Sequence, residues 1–258
     1  MAMEASDGLA LPQRTWAMLA IGLAIMMAVL DGTIANVALP TIARDLNATP
    51  ADSIWVVNAF QLVITVLMLP LASLGEIVGY RRIYRIGLVV FTLSSLACAL
   101  SDSLLTLTLA RVAQGVGAAA IMSVNSALVR FIYPRAQLGR GIGIIAMVVA
   151  VSAAVGPSVA AAILSVASWP WLFAVNVPIG IATIYAGRGL PRTPHAKRGF
   201  DYVSALLNAL FFGLLIVAID SVGHGERALV VVLAFAIAAL AGVALVVRQL
   251  PQPSPLLP

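Results

Sequence analysis

Eight long apolar stretches follow one another along the chain, separated by short polar breaks. They run approximately over residues 15–39, 53–75, 83–101, 104–128, 141–166, 171–187, 202–220 and 228–247. A helix needs about 20 mainly apolar residues to cross the hydrocarbon layer of a bilayer. Inside that layer every backbone N–H and C=O must be satisfied within the segment, so such runs fold as spanning helices. The expected fold is all-α, a polytopic membrane protein with about eight spans and the lipid bilayer as its solvent. Composition agrees: 62% of residues are hydrophobic and 10% charged, against about 25% charged in soluble domains. Pro70, Pro157 and Pro178 interrupt the second, fifth and sixth runs. Such breaks are tolerated where neighbouring helices or a cavity satisfy the freed backbone. The first run is too long for a signal-peptide core and follows the acidic residues Glu4 and Asp7, so it reads as a retained first helix.

Loop charges set the orientation. With the N-terminus in the cytoplasm, twelve of the fifteen basic residues fall on the inner side. They are Arg14, Arg81, Arg82, Arg85, Arg130, Arg135, Arg140, Arg188, Arg192, Lys197, Arg198 and Arg248. Only Arg44 and Arg227 fall outside. This is the positive-inside pattern. It accounts for the net charge of +5 without nucleic acid, for which no basic patch interleaved with stacking aromatics is present. The longest polar break, Arg188 to Asp201, separates six helices from two. The expected organisation is a six-helix bundle over 1–190, a cytoplasmic linker over 191–201 and a helix pair with the C-terminus over 202–258.

Two ionisable residues interrupt the apolar runs themselves. Asp31 lies in the first and Arg111 in the fourth. A charge at the centre of a spanning helix costs at least ~2.5–3.5 kcal/mol, and such residues usually face a bundle interior and find a partner. Measured from an expected end of helix 1 near Leu39, Asp31 is about 12 Å deep; Arg111 is about 10 Å from the start of helix 4. The two charges are thus expected at similar depth, close enough to pair. Uncharged polar residues extend the pattern. Asn58, Gln61 and Thr65 share one face of helix 2, Arg111, Gln114 and Asn125 one face of helix 4, and Asn36 continues the polar part of helix 1. These faces are expected to point inward and to line a hydrated substrate cavity; interhelical hydrogen bonding is the plainer alternative. Met26, Met27 and Met122 would suit a lipophilic cation or simply fill helix contacts.

Five segments together resemble the major facilitator superfamily, and within it the fourteen-helix drug:proton antiporters. Leu30-Asp31-Gly32-Thr33-Ile34-Ala35-Asn36-Val37-Ala38-Leu39-Pro40 is similar to the first-helix motif around an embedded Asp. Leu74-Gly75-Glu76-Ile77-Val78-Gly79-Tyr80-Arg81-Arg82 resembles the cytoplasmic gate motif, with Glu76 for Asp and Ile77 for the first Arg. Gly75 and Gly79 would permit its tight turn. Arg111-Val112-Ala113-Gln114-Gly115-Val116-Gly117-Ala118 resembles a stretch associated with proton coupling. Ser152 to Ala161, with Gly156 and Pro157 at its centre, resembles the antiporter motif with other small residues where the family has Gly. Trp169-Pro170-Trp171-Leu172-Phe173-Ala174-Val175-Asn176-Val177-Pro178-Ile179-Gly180 is similar to a sixth-helix run of the subgroup, although Trp169 and Trp171 also fit an interfacial aromatic belt.

The resemblance implies proton-coupled efflux of amphipathic, cationic compounds across a bacterial inner membrane. It implies proton coupling through Asp31, Arg111 and Gln114, a substrate cavity at Asn36, Asn58, Gln61, Thr65 and Asn125, a cytoplasmic gate at Gly75, Glu76, Gly79, Arg81 and Arg82, and a helix bend at Gly156 and Pro157. No cofactor is expected beyond the proton motive force, and the expected partners are protons, an amphipathic substrate and a C-terminal half. The chain supplies the family's first six helices and linking pair and then stops, so a fragment, a truncated product and half of an assembly are all consistent with it. A non-transporting helical interaction module is the reading from another class. An enzyme is not expected. Cys98 is the sole cysteine, neither His195 nor His224 has a metal-ligand neighbour at useful spacing, and Gly139-x-Gly141-x-Gly143 enters a membrane helix without a preceding strand.

Overall fold

A computed structural model describes residues 7–194, 196, 199–223 and 228–250. Lys197, Arg198, Arg227, His195, His224 and the stretch from 251 lie outside the described residues, and with them part of the inner and outer charge assigned above. The described residues form α1 (Leu11–Asp45), α2 (Pro50–Ser53), α3 (Trp55–Val78), α4 (Tyr80–Ala99), α5 (Leu104–Ile132), α6 (Leu138–Leu164), α7 (Pro170–Ala174), α8 (Asn176–Ala186), α9 (Tyr202–Gly223) and α10 (Ala228–Gln249). Among the described residues, eight helices or consecutive helix pairs are long and apolar enough to cross a membrane, the number expected from the sequence.

The boundaries follow from local chemistry. α1 does not stop near Leu39. It runs through Pro40 to Asp45, because a proline removes only one intrahelical bond, the one that would reach the Asn36 carbonyl. It ends where Asn47 adopts φ +50° and the Ala48 N–H returns to the Ala43 carbonyl at 2.8 Å, a Schellman closure. Gly79, at φ +101°, is the single residue between α3 and α4. Ser103 and Thr106 form a reciprocal capping box at the start of α5. The sixth span divides into α7 and α8 around Val175. Pro178 has no N–H for the Ala174 carbonyl, and the helix is interrupted there. Pro70 and Pro157, by contrast, sit inside unbroken helices.

Glycines allow two close crossings. A Cβ on Gly117 of α5 would lie 2.5 Å from the Phe91 backbone nitrogen of α4. A Cβ on Gly156 of α6 would lie 1.9 Å from Thr33 Oγ1 of α1. Gly156 belongs to a stripe with Ser152 and Ala160, the buried positions along this part of α6. Spaced by four, they let α1 and α6 approach as small residues do in membrane helix pairs.

The apolar core has two parts. One is built around Ile25, Tyr84, Phe91, Ile121 and Leu128; the other around Ile34, Ile42, Val56, Leu107 and Phe173. On α1 the seam between them falls between Ala28 and Ile34, and on α5 between Ala110 and Ala118. Asp31, Arg111 and Gln114 occupy that seam. At one end of the bundle the N-terminal segment is fastened to the α5–α6 corner. The Asp7 carboxylate accepts the Arg135 N–H at 3.1 Å, and Arg14 donates to Gln137 Oε1 at 2.9 Å. α9 packs on α10 and leans on α3, where Asn208 Nδ2 donates to the Val66 carbonyl at 2.7 Å.

Candidate functional site

The seam holds a closed polar cluster. Arg111 and Gln114 are fully buried, and Asp31 is 2% exposed. Arg111 Nη1 forms a salt bridge with Asp31 Oδ2 and donates to Gln114 Oε1 at 2.6 Å. Its Nε donates to the Val56 carbonyl at 3.0 Å. Asp31 Oδ1 accepts from Gln114 Nε2 at 2.8 Å and from Asn176 Nδ2 at 2.9 Å. Gln114 Nε2 also donates to Ser95 Oγ at 2.9 Å. Asp31 lies about 21 Å from the end of α1 at Asp45, farther than an end near Leu39 implies, yet the two charges do meet, because their level is set by packing and not by where α1 stops.

Aromatic rings close the cluster. The Arg111 guanidinium carbon lies 3.9 Å from the Phe60 ring centroid and 5.5 Å from that of Phe173. In a desolvated setting such cation–π contact is worth about 2 kcal/mol. One donor stays unsatisfied: Arg111 Nη2 is buried without a hydrogen-bond partner. The guanidinium is therefore held by one carboxylate, two carbonyl-type oxygens and a ring, with a donor to spare. Of the first six spans, only the fifth contributes no side chain to this cluster.

Sequence reasoning brought Asp31, Arg111 and Gln114 together but missed five participants: Asn176, Ser95, Phe60, Phe173 and Cys98, whose thiol donates to Gln114 Oε1 at 3.5 Å. Asn176 stood within the quoted sixth-helix run without a role, and an Asn two residues before a proline in an apolar span is the signal that could have found it. Ser95, Phe60 and Phe173 carried no signal above ordinary helix packing.

The expected cavity residues are not gathered inside the bundle. Asn36, Gln61 and Thr65 are exposed and Asn58 is half-buried. Their helices satisfy them locally: the Asn36 amide donates to the Gly32 carbonyl at 3.0 Å and the Thr65 hydroxyl to the Gln61 carbonyl at 2.9 Å. The inward placement expected for Asn36, Gln61 and Thr65 is thus corrected: all three are exposed rather than turned into the interior of this chain. Asn125 is buried, with Oδ1 unpartnered, but it lies fourteen residues along α5 from Arg111, about 21 Å away. Met27 is 1% exposed within the core, which supports packing over ligand contact.

In the loop expected to form a gate, Gly79 alone makes the turn. Gly75 lies inside α3, where a Cβ would meet Val124 Cγ1 at 2.7 Å, so its small size serves helix approach. Arg81 Nη2 donates to the Arg188 carbonyl at 2.6 Å, the Glu76 carbonyl accepts the Ala196 N–H at 2.7 Å, and Arg82 is exposed. Gly156 and Pro157 lie in one continuous helix, Gly156 pressed against Thr33. Trp169 is 4% exposed and edge-on to Phe173, whereas Trp171 is 58% exposed; only the second suits an aromatic belt. Among the described residues no group of three His, Cys, Asp or Glu side chains could hold a metal ion.

Comparison with known proteins gives a consistent picture. The chain is 57% identical to "Uncharacterized transporter YebQ" of Escherichia coli K12, over 98% of this chain and 56% of that protein. It is 34% identical to the riboflavin transporter RibZ of Clostridioides difficile, over 87% and 51% respectively. It is 36% identical to "Putative multidrug resistance protein MdtD" of Salmonella paratyphi B, over 81% and 45%. The chain thus spans about half the length of these relatives. Among solved structures it resembles the human organic anion transporter MFSD10 with a TM-score of 0.61 at 15% identity, over 81% of this chain and 57% of that one. It also resembles a bacterial homologue of the human lysosomal transporter Spinster, inward-facing, with a TM-score of 0.57 at 19% identity, over 92% and 61%. The family model of the Major Facilitator Superfamily matches residues 21–250, and with eight apolar helices of spanning length this chain is a multi-pass membrane protein that belongs to that superfamily.

Proposed function

We propose that this chain forms the proton-coupling half of an efflux transporter of the bacterial inner membrane, exchanging protons for amphipathic compounds, cationic ones among them. The observation that carries the reading is the buried pair of Asp31 and Arg111, saturated by Gln114 and Asn176 at the seam of the core. Gln114 and Asn176 fill Asp31 Oδ1, whereas Arg111 Nη2 is buried without a hydrogen-bond partner and so keeps a donor that the pair does not use. Protonation removes the Asp31 charge, and the salt bridge to Arg111 is lost with it. Gln114 and Asn176 still hold Oδ1, while the guanidinium is free to turn on its Val56 and Phe60 contacts. Such a two-state element can bias the packing of α1 against α5. An entering cation would compete with the proton for the same carboxylate. The exposed Asn36, Gln61 and Thr65, with the half-buried Asn58, would line one wall of the substrate path, facing a second half of the kind that the relatives' length allows. The names of MdtD and RibZ are compatible with amphipathic cargo.

Asp31→Asn tests this directly. The amide nitrogen would face either Arg111 or the Gln114–Asn176 pair, donor against donor. In everted vesicles from cells expressing the protein, substrate-induced proton release and efflux fall to background. Unchanged efflux with unchanged proton release overturns the coupling role. The reading from another class, a helical module without transport, would be supported by reconstitution of the purified chain with folding intact and no substrate-dependent proton flux.

A further inference from the structure

At the end of the bundle that the arginine bias assigns to the cytoplasm, a cavity of about 760 Å³ opens between the start of α4, the end of α8 and the segment that follows. Arg81, Arg82, Arg85 and Arg192 line it, and no carboxylate does. Among the described residues, no acidic side chain pairs with Arg82, Arg85 or Arg192, all of which are exposed. Arg81 is anchored by its Nη2 to the Arg188 carbonyl, and its buried Nε has no partner. Four guanidinium groups around one cavity repel one another unless an anion sits among them. Arg81 and Arg85 are one turn apart on the same face of α4. The positive end of α4 adds to their field.

The walls of the same cavity change character with depth. Beyond Arg85 the lining continues with Ile86, Val89 and Val90 of α4, and Ile86 and Val89 are 50% and 41% exposed on the outside of the bundle. Val89 lies about 6 Å deeper than Arg85 along the helix axis. A ligand that fits carries a phosphate at one end and hydrocarbon at the other. Positive-inside topology accounts for the side of the membrane on which these arginines lie, but not for the apolar groove that continues from them.

We infer that this cavity binds the phosphate of an anionic phospholipid, with Arg81, Arg82, Arg85 and Arg192 around the headgroup and the Ile86–Val90 surface along an acyl chain. Basic pockets between membrane helices on the cytoplasmic side are suited to such headgroups, and arginine suits phosphate through its forked donors. The site is separate from the Asp31 cluster and does not rest on the transport reading.

The test is lipid retention by the purified chain in mild detergent, followed by native mass spectrometry with added phosphatidylglycerol, cardiolipin or phosphatidylcholine. The expected result is preferential retention of the two anionic lipids. Arg85→Gln with Arg192→Gln should weaken it about 25-fold, at about fivefold per arginine, while Arg130→Gln, an exposed arginine outside the cavity, leaves it unchanged. Equal retention of phosphatidylglycerol and phosphatidylcholine by the wild-type chain overturns the proposal, and this comparison stands even if the double variant does not fold. Undiminished retention of anionic lipid by a folded double variant overturns it too. Inorganic phosphate is the remaining arm: if it displaces phosphatidylglycerol at equal concentration, the apolar wall contributes nothing and the lipid assignment fails.

Discussion

Asp31 accepts three hydrogen bonds from three different side chains, and the one contributed by Asn176 comes from the farthest point in the sequence. Hydrogen bonds to a charged group contribute ~1.5–3 kcal/mol each. Asn176→Leu keeps the branch point and heavy-atom count, with bulkier methyl ends, and removes the donor. It should lower proton-coupled efflux roughly 10-fold or more at unchanged expression, read in the same vesicle assay as Asp31→Asn; efflux within twofold of wild type would exclude Asn176 from the cluster's work. The charged members of the site were legible in the sequence because a charge inside a spanning run has few reasons to exist. Asn176 and Ser95 were not, because Asn and Ser serve as ordinary interhelical glue in many membrane helices. Asn36, Gln61 and Thr65 misled for the same reason in reverse: a polar stripe marks a face, but the sequence does not say what that face meets.

The helices themselves were legible because hydrocarbon permits so few alternatives. Their ends were less so. The Pro40 that invited a stop in α1 leaves the helix intact to Asp45, while Pro178 coincides with a real interruption between α7 and α8. The difference lies in surroundings that one strand of sequence does not display. What holds the elements together is small-residue contact, and it can be probed one glycine at a time. Gly117→Val would force a side chain into the Phe91 backbone, which cannot give way as a flexible side chain would. Overpacking of this kind costs about 1–3 kcal/mol or more. The midpoint of thermal aggregation, followed by fluorescence-detected size-exclusion chromatography, should fall by several degrees. Gly139→Ala, where nothing lies within 4 Å, should leave it in place; equal behaviour of the two would mean that the α4–α5 crossing is not tightly packed.

At the scale of the molecule, the chain has a closed interior and an open side. Cys98 is fully buried, whereas Gln61 is exposed. In the purified chain a water-soluble maleimide should leave Cys98 unlabelled and react with Gln61→Cys within minutes. Co-expression with the region that the longer relatives carry beyond this match should slow the second reaction at least tenfold. Labelling that is equally fast in both settings would mean that this face does not meet a second half. The six-helix bundle and the later pair were read from one polar break, yet Asn208 of α9 reaches the Val66 carbonyl of α3 across it. No periodicity announces such a contact between distant segments.

The ion pair at the seam also has a history within each molecule. Its two residues are 80 positions apart. A ribosome adding about 5–20 residues per second therefore delivers Asp31 to the membrane ~4–16 s before Arg111 exists. During that interval α1 has only its apolar residues to keep it inserted, and its best window, at a mean hydropathy of 2.1, supplies them. Asn176 follows 145 positions after Asp31 and arrives last. The parts of the site are thus delivered in the order of synthesis: Asp31 first, then Arg111 and Gln114, and Asn176 after both.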